Sequence, residues 1–342
     1  MNRSRLQGLS LLLAATLALS AVAAVGFGAA RVPIPKVWAV VMHELWPALA
    51  PPADASRAER NIVWELRVPR VLLSALAGAG LAAVGAVLQV LTRNPLADPY
   101  LFGVSAGASV GAVSVLLHAG TVAGMLGLPA AAFLGALAAM LIVFAAARGR
   151  DGVVTGERLV LTGVAVAFIL HAVTNVLIVM ATDRGADAAL FWMMGGFGTA
   201  RWSVLPVPAV LVVGGLLWLL LRAETVNTLA LGDDAARSLG TDPGRLRLEL
   251  FLVTALMTGA LVSACGGIGF VGLVVPHIAR MLVGGHLRAL LPMAALGGAL
   301  LLLWVDVAAR SLFAPREIPV GIVTALVGGA FFLWLMRRRS TP

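Results

Sequence analysis

The sequence predicts an all-α membrane protein with about ten transmembrane helices. Of its 342 residues, 60% are hydrophobic and only 12% are charged, whereas a soluble domain carries about twice that charged share. Apolar runs of roughly 18 to 25 residues recur along nearly the whole chain, and each is long enough to cross a hydrocarbon core of about 30 Å. The 38 glycines suit helices that approach closely in lipid. We therefore expect a single transmembrane domain over residues 1–342.

The candidate spans are the apolar runs between charged or proline-rich breaks. The first follows Arg3 and Arg5 and resembles a secretory signal. Its run is longer than the roughly 7 to 15 residues of a signal core, so we expect an uncleaved span. The eighth run is the shortest. The approximate limits are 7–29, 68–92, 100–118, 126–147, 159–181, 203–222, 246–265, 269–284, 290–312 and 318–336.

The distribution of cations predicts the orientation in the membrane. An even number of spans puts both termini on one side, and cytoplasmic segments carry an excess of Lys and Arg. With cytoplasmic termini, the inside segments hold most of the 25 cations, and the outside cations are interspersed with acids such as Asp54 and Glu59. The cations lie at the ends of apolar runs and form no patch with aromatic residues, so we expect no binding of nucleic acid.

Two segments between spans are longer than a simple turn. Residues 31–66 are expected outside, with a short amphipathic piece from Val37 to Leu49 and then a Pro/Ala linker. Residues 223–244 are expected inside, as two short helices. The residues expected to delimit these helices are Gly232 at the end of the first, Asp233 or Asp234 as the cap of the second, and Gly240 and Pro243 as its stop.

Small residues follow one face of the third span. Gly103, Gly107 and Gly111 recur every four residues, with Ser105 and Ser109 between them. Residues four apart share a helix face, so these glycines form a smooth strip for close contact with another helix. We favour tight packing at this strip over contact with a substrate.

The sequence lacks the motifs of an enzyme. A nucleotide-binding loop, G-x-x-x-x-G-K-[ST], needs a lysine, and the only lysine is Lys36, so any ATP must be hydrolysed by another chain. The single cysteine, Cys265, offers neither a disulfide nor a thiolate metal site, and a G-x-S-x-G elbow is missing. The histidines stand apart from other metal-ligating residues. We expect no catalytic residue, no bound metal and no resident cofactor.

Few polar groups lie within the spans. Asp306 and Arg310 are four residues apart on the ninth span, so they share a face and are expected to pair. Asp306 is too near the outer end to serve easily as the central carboxylate of a proton-coupled carrier. The uncharged polar residues are expected to form interhelical hydrogen bonds more often than to bind substrate; they are Gln89, His171, Thr174 and Asn175.

Several motifs resemble those of a known family. "RNPLADPYLFG", "LALGDDAARSLG", "GGIGFVGLVVPHIARML" and "EIPVGIVTALVGG" are similar to segments of the permease subunits of ABC importers for iron chelates (siderophores and haem) and cobalamin. The resemblance covers about residues 60 to 336, with several motifs in the same order and spacing. The stretch "FWMMGGFGTARW" resembles the cobalamin permease in particular.

This resemblance implies a type II ABC importer permease in the bacterial inner membrane. Such a subunit has ten helices, with an inverted repeat that relates helices 2–5 to helices 7–10. The partners implied are a second copy of the chain, two cytoplasmic ATPase subunits that use ATP and Mg, and a periplasmic substrate-binding protein. "RNPLADP" and "GFVGLVVPH" would then occupy corresponding positions on opposite sides of the membrane.

The resemblance also assigns candidate residues. "VNTLALGDDAARSLG" matches the family's coupling helices, about residues 225–240, which rest on the ATPase. The residues expected to make this contact are Leu229, Ala230, Leu231, Gly232, Asp233, Asp234, Ala235, Ala236, Arg237, Ser238 and Leu239. Arg67, Arg70 and Arg310 match positions that dock carboxylates of the binding protein, with snorkelling or local pairing to Glu65 and Asp306 as the alternative.

Helices five and ten line the translocation path in this family, with a gate near the start of the fifth. The candidate path and gate residues are Thr155, Gly156, Glu157, His171 and Asn175. Glu157 stands where the cobalamin permease has a small hydroxyl residue, which leaves the manner of closure open. In "RNPLADP", Asn94, Pro95, Asp98 and Pro99 are expected to form a rigid corner, with direct ATPase contact as a lesser alternative.

The leading hypothesis is an ATP-driven importer permease that offers an inert conduit to a chelate such as haem, a ferric siderophore or cobalamin. A secondary transporter driven by an ion gradient is the alternative, and it predicts a carboxylate at the membrane centre. A membrane enzyme would require a cluster of titratable residues, which the sequence does not show.

Overall fold

The computed structural model describes residues 3–28, 32–48, 54–118, 124–149, 154–181 and 183–339. Helices account for most of these residues; the described part contains one isolated β-bridge, between Arg148 and Val154, and no strand. The helices are α1 (Arg3–Gly26), α2 (Ile34–Leu45), α3 (Arg57–Asn61), α4 (Val68–Leu91), α5 (Val104–His118), α6 (Gly124–Ala146), α7 (Gly156–Val179), α8 (Asp183–Met193), α9 (Pro206–Leu221), α10 (Ala223–Ala230), α11 (Asp233–Ser238), α12 (Pro243–Cys265), α13 (Val271–Val283), α14 (Leu287–Ser311) and α15 (Val320–Arg339).

Each of the ten predicted spans coincides with one helix, so the all-α membrane fold is confirmed. The helices that correspond are α1, α4, α5, α6, α7, α9, α12, α13, α14 and α15. In the described residues, six helices are long and apolar enough to cross a membrane, or seven if α9 and α10, bent by 69°, count as one span. The others, α5, α13 and α15, are shorter apolar helices. The number ten therefore stays a prediction.

The segment before α4 is more helical than predicted. The amphipathic helix α2 begins at Ile34 and ends at Leu45, earlier than the predicted limits, and part of the predicted linker lies outside the described residues. A capping box of Ser56 and Glu59 then starts α3. A π-helical turn, Ile62–Arg67, joins α3 directly to α4. Part of what was predicted as linker is thus a helical extension of α4.

Helix α4 lies at the centre of the bundle and packs against α12, α13 and α14. Glycines allow these close approaches. A Cβ on Gly78 would lie 2.0 Å from the carbonyl oxygen of Gly298, and one on Gly85 would lie 1.9 Å from that of Gly272. The predicted strip on α5 behaves in the same way, because Gly107 meets the backbone of Gly135 on α6. Close packing at that strip is confirmed.

The breaks before α5 and α13 meet inside the bundle. The Ile268 N–H donates to the Tyr100 hydroxyl (2.5 Å), and a Cβ on Gly272 would lie 2.8 Å from Pro99 Cδ. Each helix starts after a residue with positive φ, Gly103 (73°) before α5 and Phe270 (69°) before α13. The expectation that the two motifs lie apart on opposite sides of the membrane is wrong for these residues. Both chain breaks reach inward, which is why α5 and α13 are short.

The two short helices of the 223–244 segment are present, but their capping differs from the prediction. Gly232 (φ 105°) is the N-cap residue of α11, and neither aspartate caps it with a side chain. Asp233 is the first helical residue, and its carboxylate binds two arginines instead. Gly240 ends α11 with φ 77°, whereas Pro243 is the first residue of α12, which Asp242 caps.

Candidate functional site

The predicted docking arginines form a charged cluster where α4 begins and α14 ends. Arg70 donates through Nε to both carboxylate oxygens of Asp306 (2.9 and 3.1 Å) and through Nη1 to both oxygens of Glu317 (3.0 and 2.9 Å). Arg67 donates to the carbonyls of Val25 and Gly26. We call Arg67, Arg70, Arg310, Asp306 and Glu317 the outer cluster. It ties α1 and α14 to the start of α4.

The predicted ion pair of Asp306 and Arg310 is present, but Arg70 is the closer partner of Asp306. Arg310 Nε lies 3.6 Å from Asp306 Oδ2, beyond hydrogen-bond distance, and its Nη2 donates to the carbonyl of Ala24 at 2.8 Å. Arg70, which is 236 positions away in the sequence, hydrogen-bonds both carboxylate oxygens of Asp306. The helix spacing therefore predicted the ion pair within α14 correctly but not this second, closer partner. A charged guanidinium bound to both oxygens of a carboxylate is the stronger interaction.

Burial separates the members of the outer cluster. Arg67 and Arg310 are only 6% and 4% exposed, and Asp306 is fully buried. Both guanidinium groups donate to carbonyls of α1, and both residues also line the cleft described next, so their role in docking stays a prediction. Glu317, at 46% exposure, is open to solvent. A cleft of about 320 Å³ exposes this end of the cluster and is also lined by Arg201, which sequence reasoning missed.

The signal that could have found Glu317 and Arg201 is their position. Both stand at the edge of an apolar run, Arg201 just before α9 and Glu317 just before α15. A second cavity, of about 700 Å³, adjoins the cleft and shares Arg70 and Glu317 with it. Volumes of this order are typical of ligand pockets. This end of the protein therefore offers charged and apolar surface side by side.

The predicted coupling segment, Leu229–Leu239, lies at the opposite end of α4. From Arg70 to Arg93 the chain rises by about 35 Å at 1.5 Å per residue. Arg93 Nη2 donates to Asp233 Oδ1 at 2.5 Å, which places α11 beside the end of α4. Within the segment only Leu229 and Ala236 are buried, while Leu231 and Leu239 are 66% and 61% exposed. The segment thus exposes two leucines beside the charged Asp234 and Arg237.

The predicted corner after α4 is held by its own side chains. Asn94 Oδ1 accepts from the Leu96 N–H and Asp98 Oδ1 accepts from the Tyr100 N–H, each at 2.9 Å. Pro99 starts the 3-10 turn that Asp98 caps. Asp98 is buried, and its Oδ2 has no hydrogen-bond partner in the described structure. These bonds are consistent with a rigid corner; Pro95 stays exposed.

The predicted gate residues lie at the first turn of α7. Thr155 caps the helix, with its side chain accepting from the Arg158 N–H at 3.3 Å. Gly156 lies against the backbone at Thr92, where a Cβ would be 2.6 Å from the Thr92 Cα. Glu157 is exposed. This turn is therefore fitted closely against the end of α4.

The predicted path residues share one face of α7. His171 and Asn175 are four residues apart and both exposed, whereas Thr174 is buried and donates to the carbonyl of Leu170 on its own helix. Gln89 is the residue that makes the expected interhelical bonds: it accepts from Arg280 at 2.9 Å and donates to the carbonyl of Gly272 at 3.3 Å. The polar residues of the spans thus divide between packing and an open face.

Within the described residues, no group of three or more His, Cys, Asp or Glu side chains could hold a metal ion.

Comparison with known proteins places the chain. Residues 13–338 match the model of the FecCD transport family. The hemin transport system permease protein HmuU of Yersinia pestis is 42% identical over 281 residues, 81% of this chain and 84% of the relative. The vitamin B12 import system permease protein BtuC of Vibrio cholerae is 42% identical over 301 residues, 87% of this chain and 89% of the relative. The Fe(3+)-citrate import system permease protein YfmD of Bacillus subtilis is 41% identical over 287 residues, 83% of this chain and 84% of the relative.

A solved structure supports the same placement. An inward-facing conformation of a putative metal-chelate type ABC transporter superposes with a TM-score of 0.83 and 28% identity, covering 97% of this chain and 99% of the other. PsaBC from Streptococcus pneumoniae, at 15% identity and a TM-score of 0.56, shares the fold and covers 78% of this chain and 89% of its own. The chain is a multi-pass membrane transport permease and belongs to the FecCD transport family.

Proposed function

We propose that this chain is the permease subunit of an ATP-driven importer that carries a large metal chelate from periplasm to cytoplasm across the bacterial inner membrane. The observation that carries the proposal is near end-to-end likeness to import permeases, 84% and 89% of whose lengths are matched by this chain. The relatives are named for hemin, vitamin B12 and Fe(3+)-citrate. We therefore propose a cargo of that chemical class, namely haem, a ferric siderophore or cobalamin.

The energy would come from two cytoplasmic ATPase subunits that bind ATP and Mg. Lys36, the single lysine, is not part of a nucleotide-binding loop, so the chain has no loop of this kind to hydrolyse ATP. The coupling segment would contact the ATPase through the exposed Leu231 and Leu239. On this proposal residues 225–240 and both termini are cytoplasmic, and residues 31–66 are periplasmic. A packed helix moves as a rigid unit and can therefore transmit the movement of the ATPase.

A second copy of the chain would complete the path. The most apolar 18-residue window of α7 is only 11% buried, and α15 exposes Leu326 and Leu333 at 70% each. Polar side chains in a membrane usually face protein or a water-filled cavity. His171 and Asn175 lie on the exposed face of α7, so we propose that this face and α15 line a path between two copies. Thr155, Gly156 and Glu157 would form the cytoplasmic gate.

A periplasmic substrate-binding protein would dock on the outer cluster. Because Arg67 and Arg310 are buried, we propose that Arg70 and Arg201 present the outermost positive charge. The exposed Glu317 occupies Arg70 in the absence of a partner, and an acidic side chain of the binding protein would compete with it. Charge complementarity of this kind mainly steers and orients association.

The decisive experiment is reconstitution into liposomes with the cognate ATPase and binding protein. We expect chelate uptake that requires ATP and survives collapse of proton and sodium gradients. Uptake driven by an ion gradient alone would overturn the proposal. The structure gives that alternative little support, since Asp306 is already held by Arg70 at one end of the helix. Measuring which chelate the binding protein retains would then identify the cargo.

A further inference from the structure

One carboxylate of the coupling segment is connected to three other parts of the protein, two of them directly and the third through Arg247. Asp233 accepts two hydrogen bonds from Arg247 on α12, Nη1 to Oδ2 at 2.8 Å and Nη2 to Oδ1 at 2.6 Å. It also accepts from Arg93, which follows α4. Arg247 in turn donates to the carbonyl of Val154 at 3.3 Å, just before α7. We call Arg93, Asp233 and Arg247 the Asp233 junction.

The Asp233 junction is built around a buried cation. The Arg247 side chain is only 3% exposed, and its Nε has no hydrogen-bond partner in the described residues. A buried guanidinium needs a carboxylate, and removal of its partner leaves an uncompensated charge. The two-pronged contact also fixes the orientation of Asp233 relative to α12. Arg247 therefore fixes the position of α11 relative to α12.

Backbone geometry on both sides of the junction supports a rigid connection. Arg93 has φ 51°, a left-handed conformation that is uncommon for a residue other than glycine. Gly232, directly before Asp233, has φ 105°. These two conformations bring the ends of α4 and α11 together. At the other side of Arg247, the first turn of α7 lies directly against Thr92 at the end of α4.

Charge keeps the junction in place at physiological pH. The hydrogen bond from Arg247 is the main reason that the pKa of Asp233 lies below its usual value, and the charges of Arg247, Arg93 and Arg237 act in the same direction. Burial opposes them. The carboxylate is thus ionised throughout the neutral range, and the contact to both arginines persists there.

We infer that Asp233 is a positioning residue that links the coupling segment to the gate end of α7 and to the corner after α4. This inference rests on the proposed function, in which residues 229–239 contact the ATPase. A movement of α11 would then shift Arg247 and Arg93 together, and through them the backbone at Val154 and the end of α4. Without the carboxylate, α11 could follow the ATPase while the gate turn stays behind.

The test is Asp233→Asn in the reconstituted complex of permease, ATPase and binding protein. We expect ATP hydrolysis to continue while uptake per ATP hydrolysed falls about tenfold, a size common for coupling between distant sites. The matched control is Glu249→Gln. Glu249 on α12 also pairs with two arginines, but these are Arg222 and Arg245 and neither belongs to the Asp233 junction. Uptake per ATP hydrolysed should be the same in this control as in the wild type.

A second measurement separates positioning from simple stability. Amide hydrogen exchange in the wild type should change on nucleotide binding both in α11 and in the first turn of α7, where the Leu159 N–H donates to the carbonyl of Thr155. In Asp233→Asn the change should be confined to α11. A variant that is merely less stable would show faster exchange at both places in every nucleotide state.

Arg93→Gln covers the case in which Asp233→Asn does not fold. Arg93 is 47% exposed, so its removal leaves no buried charge, and we expect a smaller loss of uptake per ATP with an unchanged melting temperature. If both variants fold, wild-type uptake per ATP hydrolysed in both would overturn the inference. If Asp233→Asn does not fold, wild-type uptake per ATP hydrolysed in Arg93→Gln alone would overturn it. If the wild type itself shows no ATP-dependent uptake, the proposed function fails instead.

Discussion

Helices α4 and α7 are alike in sequence character and opposite in environment. Each has 24 residues, and the two are almost equally apolar. Yet their burial differs when the most apolar 18-residue window of each is compared. In the helix that contains α4, 78% of the window is buried, whereas in α7 the share is 11%. Hydropathy therefore identifies both as spans but does not tell which one lies inside the bundle.

The difference follows from the placement of small residues. In α4, Gly78 and Gly85 stand where the backbones of α14 and α13 approach, so that an added Cβ would meet backbone atoms at both positions. In α7, large side chains point away from the chain, with Phe168 72% and Ile169 64% exposed. In lipid, helix association depends on close packing rather than on hydrophobicity, so small residues mark the central helix.

The largest effect is expected from filling the contact of α4 with α13. Gly85→Leu would place its Cβ 1.9 Å from the carbonyl oxygen of Gly272, a backbone atom that cannot move aside. Because the clash is with backbone, the cost should exceed the range of about 1–3 kcal/mol that is typical of overpacking, and we expect loss of folded protein, measured as detergent-stable yield. Gly214→Ala on α9 is the control, since nothing lies within 4 Å of its added Cβ. Normal yield of Gly85→Leu would refute the central position of α4.

The next effect concerns the anchored end of α4. Asp306→Asn removes a buried partner of Arg70, and breaking such a pair typically costs about 3–5 kcal/mol. We expect a clear drop in melting temperature. Glu317→Gln removes the other partner, which is half-exposed, and should cost no more than about 1 kcal/mol. Equal losses in the two variants would show that burial does not separate the two carboxylates.

A smaller effect is expected at the start of α7. Thr155→Ala removes the side chain that accepts from the Arg158 N–H, and the loss of such a cap costs about 1 kcal/mol. Thr155→Ser keeps the hydroxyl and should retain most of that stability. Thermal unfolding of both variants measures the difference, and indistinguishable alanine and serine variants would exclude a capping role.

The smallest effect on stability is expected on the open face of α7. Phe168→Ala removes a side chain that is 72% exposed. The free energy of unfolding of the separated subunit, measured by thermal unfolding, should therefore change by no more than about 0.5 kcal/mol. If a second copy covers this face, the dimer should dissociate at lower detergent concentration, as measured by light scattering. A large loss of subunit stability would instead place α7 inside the bundle of its own chain.

Much of the fold was predictable because it follows from patterns within short stretches of the sequence. Every apolar run of sufficient length is a helix, and the two short helices around Gly232 follow from local turn and helix signals. The strip Gly103, Gly107 and Gly111 could be assigned to packing because residues four apart share a face. The helical extension before α4 was missed because residues 47–53 are rich in proline and alanine, although the capping box of Ser56 and Glu59 is visible in the sequence.

The contacts of the charged residues could not be predicted in the same way. Arg70 meets Asp306 across 236 positions, and Arg93 meets Asp233 across 140. Helix periodicity describes one helix at a time and therefore favoured the near neighbour Arg310 over Arg70. Burial of Arg67 and Arg310 also depends on the course of α1, whose carbonyls receive their hydrogen bonds.

The bond between Tyr100 and Ile268 has a mechanical consequence. It connects the two non-helical breaks in the chain, one before α5 and one before α13. These breaks are therefore in direct contact and are not two independent hinges. A lengthwise displacement of one break past the other would break this hydrogen bond, whereas a small rotation about it would not. Relative movement of α5 and α13 should therefore favour rotation about this contact over sliding along it.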